Sequence, residues 1–567
     1  MSKKLLLFLA IIFSLSLVLA ACGGGNDNTA GNNGNNSGDA NADEGGTMTY
    51  AIKEEPEGLL VDGFAGSAID AEILDYISDD LITVNDDMEY EAAIADWETE
   101  DNQVYDFTIE EGVQWHNGEE LTMEDWQFAI EVLADPDYDG PRFDYVAEIE
   151  GAEEYRDGDA DEISGFEIED DYNATITFKE AKVNNLENLW STPMPKAELE
   201  DIPVEEMDAS EEVRETPVGL GPFKVKEIQQ GEYYSLERFD DYWQGTPKLD
   251  EVLIKVIDPS AILGSLESGE VDFMEITPNE IDDLEANDNI DVIEQEGLGY
   301  SYIGFRFGHY DADEGTAVAD FDKFDSKELR QALFYALDRE SIVDNYLNGT
   351  ATIVNTPVPS VHWISADEDN LTQYDYDPDK AEEMLDEAGY EKGEDGMRTD
   401  PDGNEFVVKF GHFAGDSAFE GRAQAIIQNW EDVGIQTELA TGELVEFNTF
   451  NEMKDNDDEE LETFFGAWSV GSDPDPSGLW RSTAEWNYGR WVNEESDELL
   501  DDGLSEDAFD DDYRKDVYVE WQQLFNEELP GLPLWENMDL YGKNERLQDV
   551  VVGPNGPRDF HEWSITD

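Results

Sequence analysis

With 141 aspartates and glutamates against 32 lysines and arginines, the chain carries a formal charge of −109 over 567 residues. That imbalance decides what kind of fold it can make. An ionised carboxylate taken out of water without a partner is costly, and there are far too few bases to pair the acids. Most of the acid must stay on the surface. The core must come from the 39% of residues that are apolar, among them the 11% that are aromatic, and in a chain this long they are ample for several cores. Nucleic acid is excluded as a partner, because every phosphate would meet repulsion. Acid spread through the whole body, rather than held in one tail, points to life in concentrated salt. At ~1 M salt the Debye length is only ~3 Å and self-repulsion is largely screened.

The amino terminus reads as an export signal. Lys3 and Lys4 precede an almost unbroken apolar run from Leu5 to Leu19, and the small residues Ala20 and Ala21 then lead to Cys22. That order of charge, apolar run and small-residue site predicts a signal peptide over 1–21, too short for a membrane span. Cys22 is the only cysteine in the chain, so it has no disulfide partner there. Directly after Leu-Ala-Ala it looks like a bacterial lipobox, whose thiol is lipidated. The Gly/Asn/Ser/Asp tract that follows predicts a disordered tether over 22–46, with the folded body starting near Thr47.

The body alternates strands and helices, which predicts a mixed α/β class. "VYDFTIEEG" places Tyr105, Phe107 and Ile109 on one side of a strand. Thr122 is expected to cap a helix carrying Trp126, Ala129, Ile130 and Leu133. "GFEIE" and "ATITFKE" form a hairpin through a turn near 170–173, and "VLIKVI" reads as a buried strand. Ser326 opens another helix. Asp377 caps a third, with Pro378 at its first position and Gly389 after its end. "FVVKF", "FEGRAQAIIQNWEDVG" and "IQTEL" read as a right-handed βαβ unit, and the acidic "NEMKDNDDEE" as a surface loop. No internal repeat is visible.

Catalytic signatures fail. No phosphate-binding loop or dinucleotide fingerprint can be assembled. The five histidines (His116, His309, His362, His412 and His561) are scattered without metal-ligand spacing. A calcium-loop reading starting at Asp157 puts Glu162 where glycine is needed and Ile168 where the bidentate glutamate belongs. Close carboxylate pairs are expected by chance among so many acids. One segment stands out: "FFGAWSVGSDPDPSGLW", 464–480. Phe464 to Val470 has strand character, and Pro474 and Pro476 stop it. The stretch is a stiff strand end carrying Trp468, open either to pairing with an extended peptide or to a plain rigid turn.

Long blocks resemble the extracellular solute-binding proteins of family 5. They are "AAIADWETEDNQVYDFTIEEGVQWHNGEELTMEDWQFAIEVL", "TPVGLGPFKVKEIQQGEYYSLERFDDYWQGTPKLDEVLIKVI", "LRQALFYALDRESIVDNYLNGTA", "YDPDKAEEMLDEAGY" and "LPGLPLWENMDLYGKNERL". They stand in family order and cover nearly the whole mature chain. Within the family the likeness is to Gram-positive oligopeptide-binding lipoproteins.

The resemblance implies a two-lobed α/β fold with a hinge. Residues 47–81, 196–299 and 531–567 would form one lobe, 82–195 an inserted subdomain, and 300–530 the other lobe. It implies a monomer without cofactor or metal, held outside the cell by lipid at Cys22. Such a protein would pass oligopeptides to an ABC permease driven by separate ATPase subunits. Carried over by position, Trp468, Ser469 and Gly471 match the family's cleft strand, and Phe64, Ala65, Gly66 and Ser67 would supply a second strand beside the ligand. Asn487, Tyr488 and Trp491 would line the cleft, while Arg490 would meet a ligand carboxylate or pair with surface acid. In many relatives an aspartate three residues after the tryptophan anchors the ligand amine. Here that position is Gly471, so either Asp473 substitutes or the amine is not fixed. An oligosaccharide or another solute on the same fold, and a lipid-anchored hydrolase, stand as alternatives.

Overall fold

The computed structural model describes residues 45–258, 261–312, 314–415 and 417–566. The expected leader, Cys22 and all of the tether except Gly45 and Gly46 lie outside the described residues. The first described strand is β1 at Thr47–Ile52.

Seventeen strands build the two larger sheets and the hairpin beside the site. In the inserted region they are β2 (Ala95–Thr99), β3 (Val104–Ile109), β4 (Phe166–Asp170) and β5 (Asn173–Thr177); next come β6 (Phe223–Gln229), β7 (Tyr233–Arg238), β8 (Glu251–Val256), β9 (Phe273–Glu275) and β10 (Ile290–Phe305). The second half adds β11 (Ala351–Ile353), β12 (Val407–Gly411), β13 (Gln436–Leu439), β14 (Thr463–Ser469), β15 (Gly531–Asn544), β16 (Val551–Gly553) and β17 (Gly556–Arg558). One eleven-stranded sheet runs in the order β13-β12-β14-β10-β15-β9-β1-β8-β7-β6, with β11 also on β15. Strands β2 to β5 make a separate four-stranded sheet in the order β2-β3-β5-β4.

Strands β10 and β15 hold the large sheet together. They pair antiparallel from Ile290↔Asn544 to Glu296↔Met538, and again from Tyr300↔Glu536 to Gly304↔Gly531, with a shift of register between. The ladder is interrupted over Gly297–Gly299, opposite Asn537. On one side of the gap the strands pack with Met48, Leu236, Val252, Ile254 and Phe273 in one core, and with Met274, Ile290 and Leu540 in an adjoining one. On the other side Ile303, Phe305, Phe410, Trp430, Leu532 and Trp535 share a core. This is the two-lobed α/β fold. Leu532, Leu534 and Trp535 belong to the second of these cores, so β15 changes core near Asn537. A further core gathers Phe107, Trp126, Ile130 and Ile176 and reaches from Val61 to Leu220.

Local signals act as read. The helix Met123–Leu133 (α1) starts at Thr122, whose N–H donates to Asp125 Oδ2 at 2.9 Å in a capping box. Ser326 caps the helix Lys327–Tyr335 through Leu329 N–H at 3.2 Å, and Asp377 caps Pro378–Glu387 through Lys380 N–H at 2.9 Å. Strands β12 and β13 are parallel around the helix Ser417–Asp432. Two readings need correction. "VLIKVI" is not buried on both faces: Val252 and Ile254 are buried and alternate with half-open neighbours, since only one face of β8 meets a core. The acidic "NEMKDNDDEE" opens inside the helix Phe447–Asp455, where buried Phe450 anchors the turn.

Candidate functional site

Strand β14 is paired along its whole length on one side and for two residues on the other. Strand β10 covers it from Thr463 to Ser469, whereas β12 reaches only Thr463 and Phe464. Past Gly411 the chain leaves the sheet, and Phe413 bridges to Val445. Among the described residues, no strand covers the outer side of Phe465–Ser469, and Ala467 and Ser469 are exposed. This open half-edge borders a cavity of about 570 Å³ whose walls include Leu298, Gly299, Trp468, Ser469, Asn537, Asp539, Tyr541 and the Pro554–Gly556 turn between β16 and β17. The cavity therefore sits at the interrupted ladder of β10 and β15. Its lining holds a carboxylate and no base, and burial, then repulsion from Glu275, raises Asp539 above the ordinary carboxylate range.

Trp468 is set by three contacts. Its indole N–H donates to the Tyr302 hydroxyl at 3.2 Å. Its ring lies flat on Tyr488, centroids 5.7 Å apart and planes 7° from parallel. Trp486, 58% exposed, stands 6.4 Å away. Tyr488 is held in turn by its hydroxyl on Asp455 at 2.8 Å, and the three rings make an aromatic wall.

Asn487 and Trp491, expected to line the cleft, are buried instead. The Asn487 amide donates to Arg481 O at 3.2 Å and Trp491 O at 2.8 Å, and Trp491 packs in the second lobe's core. They tie the loop that presents Tyr488. Arg490 is buried and ion-paired to Asp457 at 2.5 Å.

Beyond β14 the chain passes Gly471 and Asp473. Arg514 Nη2 donates to both Asp473 oxygens, at 3.1 and 2.8 Å, so Asp473 is already engaged. Gly471 is exposed, and a Cβ there would lie 2.8 Å from Glu187 Oε1. Glu187 belongs to the inserted region and accepts a hydrogen bond from the Tyr90 hydroxyl.

"DGFAGSA" is a turn, not a second strand. Phe64 is buried against Tyr138. Ala65 is buried, and its carbonyl accepts from Arg142 at 2.9 Å. Ser67 caps the helix Ala68–Ile77 through Ile69 N–H at 3.2 Å, which leaves Gly66 exposed between them. The pull toward helix capping outweighs extension here. Tyr302, Trp486 and Glu187 were not singled out in the sequence. The two aromatics look like any core residue there, and nothing marks one glutamate among 141 acids.

A second cavity, about 530 Å³, is lined by Asp62, Asp75, Asp79, Asp80 and Trp243 among others. Its lining also includes Thr83, Val84, Glu91 and Ala92 of a two-stranded ladder. Desolvation by the surrounding protein, with repulsion from Asp62 and its neighbours, pushes Asp75 up to about 7.

A two-lobed α/β molecule with an open strand edge over a cavity at its interlobe strands is built as a binding protein. The chain belongs to the bacterial extracellular solute-binding proteins, family 5, whose middle portion matches residues 88–490. It is 27% identical over 531 residues to the oligopeptide-binding protein AppA of Bacillus subtilis (strain 168), covering 92% of this chain and 91% of that one. It is 26% identical over 457 residues to the oligopeptide-binding protein OppA of Lactococcus lactis subsp. cremoris (strain SK11), covering 78% and 76%. The structure of the Bacillus subtilis protein AppA in complex with a nonapeptide superposes with a TM-score of 0.67 at 25% identity, over 93% of this chain and all of that one. The substrate-binding protein CtaP of Listeria monocytogenes shares the fold with a TM-score of 0.76 at 23% identity, over 92% of this chain and 100% of that one.

Proposed function

We propose that this chain is the extracytoplasmic receptor of an ABC importer. It takes an oligopeptide as an extended strand along the open side of Phe465–Ser469 and hands it whole to a permease. The observation that carries this reading is the half-paired β14 over the 570 Å³ cavity. Main-chain hydrogen bonds along such an edge give affinity without reading side chains, and a roomy cavity tolerates many residues. The names of the relatives support a peptide as the ligand. Trp468, Ser469 and Gly471 face the guest in this reading, and Tyr488 backs Trp468. The lobes close about the interrupted ladder of β10 and β15, and closure is what the permease reads. A lipid on Cys22 holds the monomer at the outer face of the membrane. The protein carries its ligand and does not cleave it.

The test is incubation with a defined peptide mixture, followed by mass spectrometry of what stays bound and scattering of the complex. The reading expects whole peptides and a more compact particle. Fragments would indicate a hydrolase, and an unchanged shape with no bound peptide would overturn the proposal.

A further inference from the structure

An extended guest laid along Phe465–Ser469 has one end at Gly471, two residues past the last residue of β14. A charged chain terminus brought out of water there needs a counter-charge. Two carboxylates stand at that point and differ in their surroundings. Asp473, its side chain 11% exposed, is neutralised by Arg514 at 2.8 Å. Glu187 has no base within ion-pair distance among the described residues, and its charged neighbour is Asp473. Two donors hold it in place, the Tyr90 hydroxyl on Oε2 and the Asp473 backbone N–H, and Oε1 lies 2.8 Å from where a Cβ on Gly471 would stand. The missing side chain at 471 is what lets this carboxylate reach the end of the strand. Tyr90 and Asp473 also line a cavity of about 330 Å³ next to it. Burial, then Asp473, raises Glu187 above its ordinary range, while the Tyr90 bond opposes the rise. A bound cation would relieve that strain.

We propose that Glu187, reaching from the inserted region, is the specificity-determining residue that receives the free amino terminus of the bound peptide at Gly471. This rests on the peptide-binding reading above. It fixes which end of the guest lies at Gly471, because a terminal carboxylate placed there would meet uncompensated negative charge. It also makes the inserted region part of the site: the amine bridges Glu187 to the end of β14.

The test uses random-sequence nonapeptides, free or N-acetylated, offered to the full-length protein in ~1 M sodium chloride. In that salt long-range attraction is screened and a direct contact is not. Mass spectrometry of the retained peptides is expected to show free amines enriched about tenfold over acetylated ones, the scale of one charge-assisted bond. In Glu187→Gln, which keeps an acceptor for Tyr90, the ratio is expected to fall to about one. Combining Glu187→Ala with Gly471→Asp, which returns a carboxylate to the same space, is expected to restore it. Equal retention of both peptide forms by the unaltered protein overturns the proposal, with peptide binding itself intact, and this arm needs no variant to fold. A free-amine preference that survives Glu187→Gln also overturns it. Retention of no peptide of either form overturns the peptide reading and the subsite together.

Discussion

Arg490 and Asp457 form an ion pair at 2.5 Å with side chains only 1% and 11% exposed, and both residues hold left-handed backbone. The pair locks two loops to each other. Arg490 also donates to Glu485 O at 2.6 Å and Asn487 O at 3.2 Å, and Asp457 accepts from Tyr310 N–H at 2.8 Å. Breaking one partner of such a pair leaves a buried charge, at about 3–5 kcal/mol. Arg490→Met is expected to destabilise the protein by that amount in denaturant unfolding. It should also weaken peptide binding, because Tyr488, which backs Trp468, sits in the freed loop.

Removing the aromatic wall separates binding from folding. Trp468 is only half-buried, so Trp468→Ala is expected to lower the melting temperature modestly. Its loss of peptide affinity should be about tenfold or more, as for a central aromatic contact. Calorimetric titration checks this, and an unchanged affinity would remove Trp468 from the site.

Glu536 gives a pH dependence with a definite sign. It is 2% exposed and accepts from Ser360 N–H at 2.6 Å and Ser360 Oγ at 2.7 Å. Burial outweighs these bonds and pushes its carboxyl up to about 7. A group raised on folding contributes stability that is complete below the ordinary carboxylate pKa of about 4.3 and is lost as pH rises through about 7. Glu536→Gln keeps a neutral partner for Ser360 at every pH. The variant should match the parent near pH 4 and melt higher near pH 8, in melts at one fixed salt concentration. Equal pH slopes for the two proteins would contradict the assignment.

The net charge of −109 sets the response to salt. Many of the ion pairs are lysine–carboxylate contacts with an exposed acid, worth little each, and they cannot offset general repulsion. The melting temperature is expected to climb from dilute to ~1 M sodium chloride as that repulsion is screened. Indifference to salt would sink this expectation.

Local chemistry was legible in the sequence and long-range geometry was not. Thr122, Ser326 and Asp377 announced their helices because a cap is decided within four residues. The strand at 463–469 was legible from its apolar run and the prolines beyond it. That β10 would cover one side of it and β12 only two residues of the other depends on partners about 50 and 160 positions away, and no local pattern encodes such pairing. The same limit hid Glu187, whose meaning comes from Gly471 across the cleft. It also misplaced Phe64 to Ser67: a strand and a capped turn draw on the same small residues, and the helix at Ala68 decided between them. Asn487 and Trp491 turned inward, because the buried side of their loop is set by packing that the local sequence does not show.

The register skip between Glu296 and Tyr300 has a mechanical consequence. Two continuous chains cross it with few rungs between them, so any bending concentrates in a handful of backbone torsions while the cores at either end ride through as rigid blocks.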